Sequence, residues 1–213
     1  MPTTRLDRRT RRARTEGADA REALLRAAAE VFAEHGFRHA SIDEVAARAG
    51  YSKGAVYWHF AGKDELFLAL VSERIDAPTR EMIDLLSSAP PDRDMAPEAS
   101  RRFTELMRGQ RDLLLLDQEY WSRAVRDEKL RRRYAKRRAQ LRRELGEALV
   151  ARMRHLGAPP LNLPAEDVAT IVMSLGIGLT QQKLIEPDAV PDDLLGEAVA
   201  LVYRGLVARA EDR

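Results

Sequence analysis

Between Ser41 and Lys63 the chain reads SIDEVAARAGYSKGAVYWHFAGK, and these residues leave room for little besides two short helices set at an angle. Ser41 followed by Glu44 forms a capping box, in which the serine oxygen accepts a first-turn N–H and the glutamate reaches back to the serine N–H. Ile42, Val45, Ala46 and Ala49 then recur at helical spacing as one apolar stripe, and Gly50 stands where a left-handed C-terminal cap excludes a side chain. Ser52 caps a second helix, in which Val56 and Phe60 point inward. Lys53, Gly54, Ala55, Tyr57, Trp58 and His59 share its remaining surface. Helices this short do not persist alone in water, so both require a neighbour to pack on.

Two short helices joined by a tight glycine turn make a helix-turn-helix, whose second helix enters the DNA major groove. The residue types suit that role. Gly54 and Ala55 permit close approach to base edges, Lys53 can reach a guanine edge or a phosphate, and Tyr57, His59 and Lys63 can donate to phosphate oxygens. The candidate DNA-binding residues are therefore Ser41, Ser52, Lys53, Gly54, Ala55, Tyr57, Trp58, His59 and Lys63. The competing reading is an ordinary helical hairpin with its aromatics in the core.

The run from Phe32 through Gly36, with Ser41, Val45-Ala46, Ala49-Gly50, Ser52, Gly54, Val56-Tyr57, Phe60, Lys63 and Leu66, resembles the DNA-binding signature of the tetracycline-repressor (TetR) family. That resemblance covers about a quarter of the chain. The rest is similar only in helical architecture and spacing. Ser41 replaces the family's usual threonine at the first cap, and Tyr51 stands where a smaller aliphatic is common. The resemblance implies a dimer whose last two helices pair as a four-helix bundle. It also implies a small molecule in the C-terminal core that changes the angle of the fourth helix and so separates the recognition helices from their grooves.

Charge distribution agrees with a nucleic-acid partner for the N-terminal region. Residues 1–63 carry 12 Lys+Arg against 8 Asp+Glu, a balance of +4, whereas the whole chain is only +2. Residues 1–17 hold six arginines and no periodicity. They read as a basic arm without structure of its own, able to lay Arg8, Arg9, Arg11, Arg12 or Arg14 along phosphates or into the minor groove. No apolar segment follows these arginines, which argues against a secretory signal.

Downstream, the periodicity is helical throughout. Asp19 with Glu22 opens a helix that buries Leu24, Leu25, Ala28, Val31 and Phe32 and ends at Gly36, and Phe37 reads as a core plug. A fourth helix starts at Lys63 and meets Pro78, which should kink or break it. Residues 87–97 form a proline-rich loop. Helical patterns follow over Ala99–Arg108, Arg111–Arg126 and Asp127–Leu156. The last holds nine basic residues between Lys129 and Arg143 and no acidic one, most simply a solvated face with its acids on neighbouring helices. Two further helices begin near Pro164 and Pro191, and their surplus apolar surface points to an oligomer interface. Gly176 and Gly178 are costly inside a helix unless a backbone or ligand comes close.

With no cysteine, thiolate chemistry and cysteine zinc sites are excluded, and the composition is compatible with the cytoplasm. The apolar runs read as too short or too interrupted by charge for a membrane span. No Glu-x-x-His pair, GxSxG or phosphate loop supplies catalytic chemistry. The expectation is an all-α chain: a basic arm at 1–17, a three-helix DNA-binding domain at 18–63, and a helical-bundle ligand-binding and dimerisation domain at 64–213. It would act as a dimeric, ligand-responsive repressor on a palindromic operator in double-stranded DNA, with no cofactor and no membrane partner. The alternatives are an architectural DNA-binding protein without a ligand and, more weakly, a helical-bundle enzyme. Inward aromatic, methionine and isolated polar positions give the candidate effector contacts Phe103, Met107, Tyr120, Trp121, Met173, Ile177 and Gln181.

Overall fold

The computed structural model describes residues 5–90, 93, 95–155, 157–160 and 163–211. The described residues are helical with no strand, as expected. The helices are α1 (Arg5–His39), α2 (Ile42–Ala49), α3 (Lys53–His59), α4 (Lys63–Val71), α5 (Ala77–Ser88), α6 (Ala96–Gly109), α7 (Arg111–Ala124), α8 (Glu128–His155), α9 (Ala165–Ile185) and α10 (Leu194–Glu211). They fall into two compact units. The first holds the chain up to Glu73 together with Leu115–Leu130, and the second holds Arg74–Leu114 and Arg131–Arg213.

Helix α1 corrects the expected arm. It runs from Arg5, so residues 5–17 continue the helix in place of an unstructured tail. Arginine and alanine are strong helix formers, and adding turns to a helix already held by packing costs little. The phosphate contacts expected of Arg8, Arg9, Arg11, Arg12 and Arg14 rest on side chains outside the described ones. The chain leaves helical geometry at Gly36, where φ is 70°, a left-handed conformation that suits glycine.

The first unit is built on aromatics. Phe32, Phe37, Phe67 and Tyr120 are all buried. Phe67 lies edge-on to Phe32 and Phe37 with centroids 5.5 and 5.0 Å away, and stacks on Tyr120 at 4.9 Å. Phe37 is thus the plug the sequence indicates. Helix α4 groups with this unit, and the C-terminal part of α7 joins it through Tyr120.

Between α4 and α5 the chain stays helical. Residues Ser72–Asp76 form a π-helical turn immediately before Ala77-Pro78. Proline lacks an N–H and its ring crowds the carbonyl four residues back, and a wider turn relieves that crowding.

The second unit has two apolar clusters. One joins Leu86, Leu145 and Ala169 with Met82, Leu149 and Met173 around them. The other joins Phe103, Met107 and Leu114, with Ile75, Leu179, Leu184 and Leu195 packed against it. Close helix approach occurs at Gly146 and Gly196, where a Cβ would strike the backbone of Ala165 and of Ala96 respectively. At Gly176 and Gly178, costly in a helix unless a backbone or ligand comes close, a Cβ would meet no described atom of a neighbouring element within 4 Å.

Helix α9 also corrects the reading of apolar runs. From Val168 to Gln182 it holds no charge; Gly, Ser, Thr and Gln interrupt it without lowering hydropathy as charges do. By length and composition α9 is able to cross a membrane, with a mean hydropathy of 1.3 over its best window, of which 17% is buried.

Candidate nucleic-acid interface

Helix α2 begins as its sequence dictates. The Ser41 hydroxyl oxygen accepts the Glu44 N–H at 3.2 Å, and Glu44 accepts the Ser41 N–H at 2.9 Å. Hydrogen bonds from the Ser41 hydroxyl, then from its N–H, hold the Glu44 carboxyl below its ordinary value. At the other end Gly50 adopts φ 74° and its N–H reaches the last carbonyls of the helix. The Tyr51 N–H closes the turn on Ala46 O at 2.9 Å, the pattern that ends a helix sharply and redirects the chain. Ser52 then caps α3 by accepting the Ala55 N–H at 3.2 Å.

Val56 and Phe60 anchor α3 in the core. The opposite face is open: Tyr57 is 51% exposed and Trp58 77%. Beside Gly54 the only near neighbour of a Cβ would be the Ser52 hydroxyl at 3.6 Å, so this stretch of helix surface is low and unobstructed. Lys53 is exposed but engaged, its ammonium 2.9 Å from Asp43 on α2. The Asp43 carboxylate raises the Lys53 pKa and keeps it charged. His59 is half-buried; burial first, then the charge of Arg21, lowers its pKa. At neutral pH it therefore offers a ring N–H and no charge.

Lys63 is already engaged within the chain. Its ammonium donates to the carbonyls of Arg38 at 3.1 Å and Ala40 at 2.9 Å and lies 4.9 Å from the centre of the Phe37 ring. Burial lowers its pKa. Two of its three donors thus satisfy carbonyls at the end of α1, and Lys63 ties α4 to the α1–α2 corner before any phosphate is considered.

The supports of this site were not legible as such. Arg48 of α2 pairs with Glu34 of α1 through both guanidinium ends. Glu119 of α7 accepts the Phe37 N–H at 3.2 Å, and the Arg123 guanidinium lies over the Phe37 ring at 4.8 Å. No local spacing in the sequence links residues 82 positions apart. Asp43 is nearer to detection, since it stands only ten residues before the lysine that opens α3.

The candidate effector residues are divided between the two units. Phe103 and Met107 share one cluster of the second unit and Met173 borders the other. Tyr120 and Trp121 belong to the first unit, Tyr120 as a buried core residue and Trp121 half exposed. Ile177 and Gln181 are exposed on α9. Helix α7 divides between the units at Leu115, and Tyr120 sits in the aromatic core of the first. Among the described residues no group of three His, Cys, Asp or Glu is placed to hold a metal.

Two family models match the chain. Residues 24–70 match the N-terminal model of bacterial regulatory proteins of the tetR family, and residues 93–208 match the C-terminal model of the BetI-type transcriptional repressor. The chain is 29% identical over 204 residues to the HTH-type transcriptional regulator TtgR of Pseudomonas putida, covering 92% of this chain and 94% of that one. It is 41% identical over 64 residues to the regulator SrpR of Pseudomonas putida, a match that covers 30% of either chain. The matched region thus spans about a third of that relative's length. A solved member of the TetR family from Streptomyces coelicolor superposes with a TM-score of 0.64 at 23% identity, over 85% of this chain and 96% of that one. Matching models at both ends, the second across more than half of the residues, and a helix-turn-helix with an open second helix make this chain a member of the TetR family of DNA-binding transcriptional regulators, not an enzyme.

Proposed function

We propose that this protein is a dimeric, ligand-responsive repressor that binds a palindromic operator in the cytoplasm and leaves it when a small molecule binds. The observation that carries the reading is the pairing of an open recognition helix with an uncovered apolar surface on the last two helices. Ile171, Ile177 and Ile185 of α9 and Leu201 of α10 are exposed, Ile185 by 77%. A second copy covering these residues would supply the twofold axis that a palindrome requires. Such a partner would also occupy the open space at Gly178.

The effector site is assigned to the cluster of Phe103, Met107 and Leu114, the apolar part of the second unit that packs against Ile75. Ile75 lies in the π-helical turn, one residue from Asp76, which Arg137 holds. A ligand entering this cluster would press on the turn that leads back along the chain to α4. Release from DNA requires the ligand to bind one arrangement of that turn more tightly than the other.

Sedimentation of the purified protein with and without the paired substitutions Ile177→Asp and Leu201→Asp tests the assembly. The unmodified protein should sediment as a dimer at micromolar concentration. The variant should be a folded monomer, because association would bury unpaired carboxylates. A stable monomer from the unmodified chain would remove the dimer and, with it, the palindrome.

A further inference from the structure

Helix α8 was expected to pair its basic run with acids from neighbouring helices. The structure shows this for two of its members: Arg137 with Asp76 at 2.7 Å and Arg142 with Glu166 at 3.3 Å. Among the described residues, Arg133, Lys136 and Arg143 are not so compensated. Taking 100° per residue, Arg132, Arg133, Lys136 and Arg143 fall on one stripe of about 100°. It lies opposite the buried Leu130, Leu141 and Leu145. All four are exposed, and among the described residues no carboxylate forms an ion pair with Arg133, Lys136 or Arg143. The stripe holds no acid from Lys129 to Arg143. Gln140 fills the gap in it.

We propose that this face of α8 is a second, sequence-independent DNA-binding surface that contacts backbone phosphates apart from the recognition helix. From Arg132 to Arg143 the stripe is about 17 Å long at 1.5 Å per residue. A duplex carries about five phosphates per strand over that length, at 3.4 Å per step. Exposed cations along such a length can reach successive phosphates of a duplex. The stripe lacks apolar and aromatic residues, so it has nothing to insert into a lipid interface and none of the aromatic anchors of a protein interface. Phosphates require neither. Arginine adds the fork that grips a phosphate with two N–H groups.

The test uses the full chain and a duplex of about 40 base pairs of unselected sequence, with binding followed by fluorescence anisotropy between about 50 and 200 mM salt. One variant carries Arg132→Gln, Arg133→Gln, Lys136→Gln and Arg143→Gln. A control removes equal charge elsewhere on the surface through Arg111→Gln, Arg126→Gln, Arg154→Gln and Arg204→Gln. The α8 variant should lose at least about tenfold in affinity at the low-salt end, and its log K against log salt slope should shrink by about 3 to 4, while the control changes little. Equal losses in the two variants would reduce the effect to net charge and overturn the proposal, as would an unchanged slope in the α8 variant. Sedimentation with phosphatidylglycerol vesicles that is lost only in the α8 variant, with DNA binding intact, would reassign the stripe to a membrane. Circular dichroism of each variant confirms that the helices are retained. A misfolded quadruple variant is replaced by the pair Arg133→Gln and Lys136→Gln, expected to shrink the slope by about 2.

Discussion

Arg137 of α8 donates to both carboxylate oxygens of Asp76, Nε to one and Nη2 to the other, each at 2.7 Å, with the two side chains 8% and 1% exposed. This pair fixes the last residue of the π-helical turn within the second unit. Removing one partner leaves the other charged and buried. Asp76→Ala is expected to destabilise the protein by about 3–5 kcal/mol. The double change Asp76→Leu with Arg137→Met is expected to recover most of that loss. Urea unfolding measures both; a single variant as stable as the parent would show that the turn is held by something else.

A second ion cluster gives a pH dependence. Hydrogen bonds from Arg101 and then Arg102 hold the Glu98 carboxyl down to about 2 from an ordinary value near 4.5. A group whose pKa is lower in the folded state stabilises above its unfolded value, so this contribution is full above about pH 4.5 and is lost as pH falls toward 2. Solvent screening at this surface keeps it to about 1 kcal/mol. Glu98→Gln should lower stability at neutral pH and flatten the acid limb between pH 4.5 and 2 in thermal unfolding. An acid limb unchanged by the substitution would remove Glu98 from the account.

Gly196 sits against α6, its N–H donating to the Ser100 hydroxyl at 2.9 Å while that hydroxyl donates to Asp193 O at 2.8 Å. A Cβ there would strike Ala96 O and Ser100 Oγ. Gly196→Ala is therefore expected to cost about 1–3 kcal/mol by forcing α10 off α6. Gly205→Ala, with open space around the added methyl, should be neutral or stabilising. Equal thermal shifts for the two would contradict the packing.

What the sequence made legible was whatever is written in local spacing. The Ser41–Glu44 box, the Gly50 cap, Ser52 and the buried Val56 and Phe60 all depend on residues within a turn or two of one another, and the structure has each of them. Contacts between distant segments were beyond it. The aromatic Tyr120 taken singly reads as core more readily than as pocket, yet only the fold assigns it to Phe37 and Phe67. Lys63 showed its charge but not the carbonyls of Arg38 and Ala40 that occupy it. At the N-terminus, an arginine-rich run reads as a tail because it lacks apolar periodicity, although the same residues are good helix formers once α1 is nucleated.

The position of Lys63 separates two roles by experiment. If its ammonium chiefly clamps the end of α1, Lys63→Met should lower the unfolding free energy by about 1 kcal/mol, as the part-buried Ala40 carbonyl loses its donor. A pure phosphate contact would leave stability unchanged and reduce the salt slope of DNA binding by about one. Denaturant unfolding and salt titration on the same variant distinguish them, and the clamp predicts the first result.

The central claim, that α3 reads DNA as one of a twofold pair of recognition helices, is tested most directly by selecting duplexes from a random pool with the full chain and sequencing those retained. The account predicts a sharp palindrome with half-site centres about 34–36 Å apart or a multiple of that. It also predicts that the palindrome is lost in the variant carrying Lys53→Ala and Tyr57→Ala. Selected sequences without a palindrome, or a palindrome that persists in that variant, would contradict it.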